Sequence, residues 1–168
     1  MGIRYLNHYL NSNCKKGIKR ININLLANKK IAIDASIYMY NFKVKGDLIE
    51  YMYKMIFIFR SHNIIPVFVF DGKPPPEKKM LLNERKAKKQ EALDSISILT
   101  ENLKNIDEKS KEYNMIQNQI DNLKKRTIHI NYQDICSVKK LLKLSGITYY
   151  DSDGEADTLY AKLENKNI

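Results

Sequence analysis

Cysteine is scarce in this sequence: Cys14 and Cys136 are the two present among 168 residues, far apart and in no CxxC spacing. That pattern supports neither a disulfide framework nor a zinc site, and points to a reducing compartment. The N-terminus, MGIRYLNHYL, lacks the apolar core of a secretory signal. The greasiest window, Met52 to Phe70, is interrupted by Lys54, Arg60, His62 and Pro66, which excludes a membrane-spanning helix. No internal repeat or low-complexity linker is present. From Glu77 to Arg126 there is neither proline nor glycine.

What is present is a core and an excess of positive charge. Hydrophobic residues make up 43% and charged residues 29%, a balance typical of folded globular chains. The length suits one domain and is short for two. Lys and Arg number 29 against 19 Asp and Glu, a net charge of +10. Such a surplus favours polyanions: nucleic acid first, with an anionic membrane surface as the competing partner. The abundance of Asn, Lys and Ile reflects an AT-rich genome rather than chemistry.

Lys30 to Asp34 (KIAID) is a short apolar run ending in an acid and reads as a buried strand. Apolar residues at 48, 52, 55, 56 and 59 follow helical spacing, with Asp47 as the expected N-cap and Asn63 as the break. Ile64 to Phe70 is a second strand. Two continuously apolar strands joined through a helix imply a parallel sheet covered on both faces. Residues 77–126 are mostly good helix formers, with apolar positions 93, 96, 99, 103 and 106, then 113, 116, 120 and 123. The gap at Asp107–Lys111 predicts a hairpin of two helices projecting from the sheet; a solvated coiled-coil insert is the plain structural alternative. Asn131 to Ser145 is another helix, with Asn131 and Asp134 at cap spacing and Gly146 as its stop. Ile147 to Tyr150 is a third strand, and Asp153 to Glu164 a last helix.

At three places a strand runs directly into acid: Asp34 after KIAI, Asp71 after VFVF, and the Asp151 to Asp157 stretch after ITYY. Ligands of open parallel sheets bind outside the carboxyl ends of the strands, so these acids would gather along one edge. Crowded carboxylates repel unless cations sit between them. Oxygen ligands without His or Cys suit Mg²⁺ or Mn²⁺, and two such ions can activate a water and stabilise a leaving oxygen in phosphodiester cleavage. Each acid also has a structural reading. A single Asp after a strand is commonly a turn or cap residue, and Glu155 stands three after Ser152, as in a capping box. Glu155 and Asp157 diverge on a regular helix, so both reach one site only if Glu155 sits at the helix mouth.

Beside these acids lies a basic segment. Residues 73–89 carry Lys73, Lys78, Lys79, Arg85, Lys86, Lys88 and Lys89 against Glu77 and Glu84. The prolines before it suit a stiff helix entry whose free amides attract phosphate. Lys78 and Arg85 are seven apart, about 20° off one line on a helix turning roughly 100° per residue, so they share a face. A solvated charged helix is the alternative to a phosphate clamp.

Four matches in order now resemble the flap endonuclease and XPG-type 5′ nuclease family: the start MGI, IAIDASIYMY at 31–40, VFVFDGKPPPEKK at 67–79, and GITYYDSDGEADTLYAKL at 146–163. The wording is similar to versions in large DNA viruses. The resemblance implies a PIN-like α/β fold with a protruding helical arch, and two-Mg²⁺ cleavage of branched DNA bearing a 5′ flap. It implies Asp34, Asp71, Glu155 and Asp157 as metal ligands, and Lys78 and Arg85 as the residues that steer and polarise the scissile phosphate. Tyr40 would stack on a nucleotide, Gly2 would approach the site after removal of Met1, and Lys73, Lys79, Lys88 and Lys89 would contact DNA. Residues 1–76 would form the N-terminal α/β part, 77–126 the arch or gateway, and 127–168 the start of an internal nuclease region. The implied location is intracellular, at sites of DNA replication: the nucleus, or a cytoplasmic factory for a virus.

The sequence also departs from that family. Asp157 stands where glutamate is usual. A further aspartate pair, another acid, a duplex-gripping helix–hairpin–helix-like element and a clamp-binding tail have no counterpart. The expectation is a partial nuclease domain, weak or inactive alone, completed by a second polypeptide. A noncatalytic DNA-binding remnant and a small RNA-cleaving PIN domain remain as alternatives.

Overall fold

Three short parallel strands form the framework, in the order β1-β2-β3. The strands are β1 (Lys30–Asp34), β2 (Ile65–Phe70) and β3 (Thr148–Asp151). The computed structural model describes residues 5–154 and 156. In register, Ile33 lies beside Phe68 and Phe68 beside Tyr149, while Asp34 pairs with Val69 and Phe70 with Asp151. Because strand side chains alternate, Ile31, Ile33, Phe68, Phe70 and Tyr149 share one face.

That face receives three helices: α2 (Ala35–Lys45), α3 (Leu48–Ser61) and α6 (Tyr132–Leu144), with α1 (Leu6–Asn13) preceding them in the chain. Met39 of α2, Met52 and Ile56 of α3, and Val138 and Leu142 of α6 meet Ile33, Phe68 and Phe70 in one cluster. Burying each of these large side chains contributes about 1.5–3 kcal/mol. The local sequence explains the helix ends. Asp47 caps α3 by accepting from the Glu50 amide at 2.9 Å. Asn131 and Asp134 close a full capping box on α6, and Gly146, at φ 63°, ends that helix in the left-handed region.

The parallel sheet expected from the sequence is present. Among the described residues, the packed helices gather on one face. On the other, Val67 and Val69 are buried, Val69 clustering with Ala156 and Tyr150, whereas Ala32 is exposed and Ile65 is 47% exposed. Two helices were not expected from the sequence, α1 and α2. The third strand begins and ends one residue later than predicted. The helix expected at 153–164 lies outside the described residues, apart from its Asp153, Gly154 and Ala156.

Residues 79–127 form the expected helical hairpin, α4 (Lys79–Leu103) and α5 (Lys111–Thr127). Ser110 caps α5 by accepting from the Tyr113 amide at 3.0 Å. The seam is close to that predicted, with Ile120 buried and Ile96, Leu99, Leu103, Ile116 and Leu123 half-buried. Leu93 departs from it: it is 41% exposed, and Ala92 takes the buried position instead. No described helix is long and apolar enough to cross a membrane.

Candidate active-site groove

Asp34 ends β1 and begins α2 as its N-cap, its Oδ1 accepting from the Ile37 amide at 3.2 Å. Asp71 follows β2 directly, its Oδ1 accepting from the Ala156 amide at 2.9 Å. Asp34 is in register with Val69, two residues before Asp71. The two backbones are therefore roughly 5 Å apart across the sheet and about 7 Å along it, with both carboxylates leaving on one side by alternation. The capping reading of a strand-end aspartate holds for Asp34.

Both acids open into one groove of about 1660 Å³, walled by α2, by the start of α4 and by the segment that follows α5. Lys78, Lys79, Arg85, Lys86, Lys88 and Lys89 line it from the α4 side, and Arg126 from the end of α5. Seven cations thus face three carboxylates, Asp34, Asp71 and Glu91. Lys78 and Arg85 both line the groove. Lys73 does not line it; it is exposed on the loop between Gly72 and Pro74, which do. The physical reason is that the chain has not yet entered the short 3-10 turn Pro76–Lys78, so Lys73 precedes the face that α4 presents.

Tyr40 lines the groove from α2 and donates a long hydrogen bond, 3.4 Å, to the Lys125 carbonyl at the end of α5. Its ring is held between the sheet-side helix and the hairpin. Gly2, Glu155 and Asp157 lie outside the described residues. Asp151 is occupied elsewhere: it pairs with Lys139 of α6 at 2.6 Å, and that ammonium also sits 5.0 Å from the Phe70 ring centroid and 5.8 Å from that of Tyr149. Asp151 thus serves the helix-covered face and not the groove.

Gly72 draws the two strand ends together. Its amide donates to the Gly154 carbonyl at 2.7 Å, and the Ser152 amide donates to the Phe70 carbonyl at 2.9 Å. A Cβ on Gly72 would lie 2.0 Å from the Ser152 carbonyl oxygen, so only glycine allows this approach. Lys43 of α2 pairs with Asp134 of α6. Partial burial pushes the Asp134 carboxyl up, but Lys43 and the Asn131 amide outweigh it and hold the group below its ordinary value.

Sequence reasoning missed Arg126, His129 and Asn83 as groove residues. The basic last turn of α5, Lys124-Lys125-Arg126, was a visible signal for the first; His129 and Asn83 carried none. Among the described residues, no three His, Cys, Asp or Glu side chains group closely enough to hold a metal ion.

The framework is thus an α/β domain with acids at adjacent strand ends and a basic helical hairpin beside them. The family model for the XPG N-terminal domain matches residues 1–92, and the chain belongs to that family. Its curated relatives include proteins named flap endonuclease 1 from Coprinopsis cinerea (31% identical over 97% of this chain), Theileria parva (30% over 100%) and Entamoeba dispar (33% over 97%). The chain spans 36%, 35% and 44% of the lengths of those relatives. Among solved structures, the catalytic core of Rad2 in complex with DNA substrate superposes with TM-scores of 0.60 and 0.65 at 24% and 20% identity. Both alignments cover 99% of this chain and 42% of the other, and they establish the shared fold.

Proposed function

We propose that this chain acts on branched DNA bearing a 5′ flap, as part of a structure-specific, divalent-metal-dependent 5′ nuclease. The observation that carries the reading is the opening of Asp34 and Asp71 into the same groove as seven Lys and Arg side chains. The flap endonuclease 1 names of its relatives, and the DNA substrate bound to the Rad2 cores, agree with it.

The donor chemistry fits Mg²⁺, with Mn²⁺ as a substitute, because Asp34 and Asp71 bring hard carboxylate oxygens to one groove. Asp34 and Asp71 would hold the ions together with Glu155 and Asp157. Bound there, the metal would supply an activated water and charge neutralisation at the leaving oxygen. Lys78 and Arg85 draw the scissile phosphate toward the strand ends, Arg85 by its two-pronged guanidinium. Lys79, Lys88 and Lys89 hold flanking phosphates, and the Tyr40 ring offers a sequence-tolerant stacking surface. Residues 77–126 would be the gateway beside a free 5′ strand, between a 1–76 α/β part and a 127–168 internal part.

The four acids Asp34, Asp71, Glu155 and Asp157 would hold a second cation weakly, and a second polypeptide would supply further carboxylates. It would act intracellularly where DNA is replicated, in the nucleus or in a viral cytoplasmic factory. A second reading is a noncatalytic DNA-binding remnant that keeps the basic groove. A labelled 5′-flap duplex incubated with Mg²⁺ separates the two. Cleavage abolished by Asp71→Ala supports the nuclease. Binding that survives Asp71→Ala, with no cleavage under any complementation, supports the remnant.

A further inference from the structure

Residues 1–33 carry seven Lys or Arg, at positions 4, 15, 16, 19, 20, 29 and 30, and no Asp or Glu. Four of these cations cluster in the stretch KKGIKR: Lys15, Lys16, Lys19 and Arg20. All four are exposed, as is every residue from 11 to 22. Among the described residues, none of the four forms an ion pair. Lys15 and Lys16 stand on a 3-10 turn (Lys15–Gly17) that follows α1, the Gly17 amide donating to the Cys14 carbonyl at 2.9 Å.

The chain just after this stretch is fastened far from the groove. Asn22 accepts from the Asn24 amide at 3.0 Å, Oδ1 of Asn24 lies 2.6 Å from Nδ1 of His62, and the Asn28 amide donates to the Asn63 carbonyl at 2.7 Å. Asn28 precedes β1, and His62 and Asn63 precede β2, so these contacts sit at the amino ends of the strands. Asp34 stands at the carboxyl end of β1, about 16 Å away along its five residues. None of residues 5–33 lines the groove.

Four exposed cations in an acid-free segment suit a polyanion. No aromatic residue occurs between Leu10 and Ile37, so the stretch offers no ring on which a base could stack and meets phosphates alone. Duplex DNA presents about one charge per 1.7 Å of axis, twice the line density of a single strand. A lipid surface fits less well. Ile18 and Ile21 enclose Lys19 and Arg20 within residues 18–22, which belong to no helix, so no apolar face is segregated from the cations.

We propose that Lys15, Lys16, Lys19 and Arg20 form a second DNA contact, outside the groove, that grips the phosphate backbone of a duplex arm while the groove takes the single strand. This rests on the reading of the chain as a branched-DNA protein.

The test uses the full chain, a blunt fluorescent duplex and a fluorescent oligothymidine, with affinities measured across a salt series. Two double variants, Lys15→Gln with Lys16→Gln and Lys19→Gln with Arg20→Gln, should each lower the duplex salt slope by about two and weaken duplex binding about tenfold at low salt. Oligothymidine binding should change less than about threefold. Lys140→Gln with Lys143→Gln, which removes the same charge from the exposed side of α6, should leave the duplex slope at its native value. Equal duplex losses in all three variants would reduce the effect to net charge and overturn the contact, as would equal losses on duplex and oligothymidine in the two N-terminal variants. Native-like duplex binding in those variants, with loss of binding to phosphatidylserine vesicles instead, overturns it in favour of a lipid surface. Either result leaves the groove reading intact, whereas no binding of either DNA by the native chain overturns both.

Discussion

The hydrogen on Gly72 faces the Ser152 carbonyl oxygen, which would be 2.0 Å from a Cβ at that position. The turn after β2 is thereby laced to the turn after β3. Gly72→Ala must push the two apart, and overpacking of this kind costs about 1–3 kcal/mol. Gly17→Ala is the control, since a Cβ there meets nothing within 4 Å. Urea denaturation should show a lowered midpoint for the first and little change for the second.

Asp151 is a strand-end acid with a structural partner. Asp151→Asn should leave Mn²⁺ binding, read by calorimetric titration, at the native level, whereas Asp71→Asn should weaken it. Lys139→Ala removes both the ion pair and the contact with two rings and should lower stability by about 1 kcal/mol. Equal loss of Mn²⁺ binding in the two aspartate variants would add Asp151 to the metal-ligand set.

Asp134 makes stability depend on pH in a definite direction. Its folded pKa lies below the ordinary 3.8, so its contribution is fully present above that value and is lost as pH falls through the folded pKa. Asp134→Asn also weakens the α6 capping box and the Lys43 pair, and should cost about 1–2 kcal/mol at pH 7. The gap between native and variant should narrow as pH falls below the ordinary 3.8.

Arg85 lines the groove and Lys73 does not. Arg85→Ala should therefore weaken flap-DNA binding about tenfold at low salt and lower the salt slope by about one. Lys73→Ala should weaken it less than threefold. Fluorescence anisotropy across a salt series distinguishes the two, and similar losses would place DNA on the 72–74 loop instead.

Within the hairpin, Ile120→Ala removes a side chain only 2% exposed and should cost at least about 2 kcal/mol. Leu93→Ala, on the outer surface, should stay within about 0.5 kcal/mol. Hydrogen exchange along α4 and α5 reports both.

Elements whose sequence carries one unambiguous period were legible. The strand at 30–34, the Asp47-capped helix and the capping box at 131–134 all stand where their residues put them. The helix at 35–45 was not, because apolar side chains at 37, 38, 39, 40, 42 and 44 run around its whole circumference and leave no stripe to detect. Leu93 misled for a related reason: a leucine outscores an alanine in any hydrophobic count, yet Ala92 is the buried residue of the two. At the site, residue spacing found Lys78 and Arg85. It could not find His129, because its partner Lys89 is 40 positions away and meets it only once the hairpin folds back.

The short helix α2 starts at the Asp34 carboxylate and reaches Tyr40, whose hydroxyl is tied to the end of α5. Six residues of α-helix measure about 9 Å. The distance between the strand-end acid and the base of the hairpin is therefore set by a stiff rod. Any polymer lying in the groove is gauged against a ruler built into the backbone, with Asp34 as its zero mark.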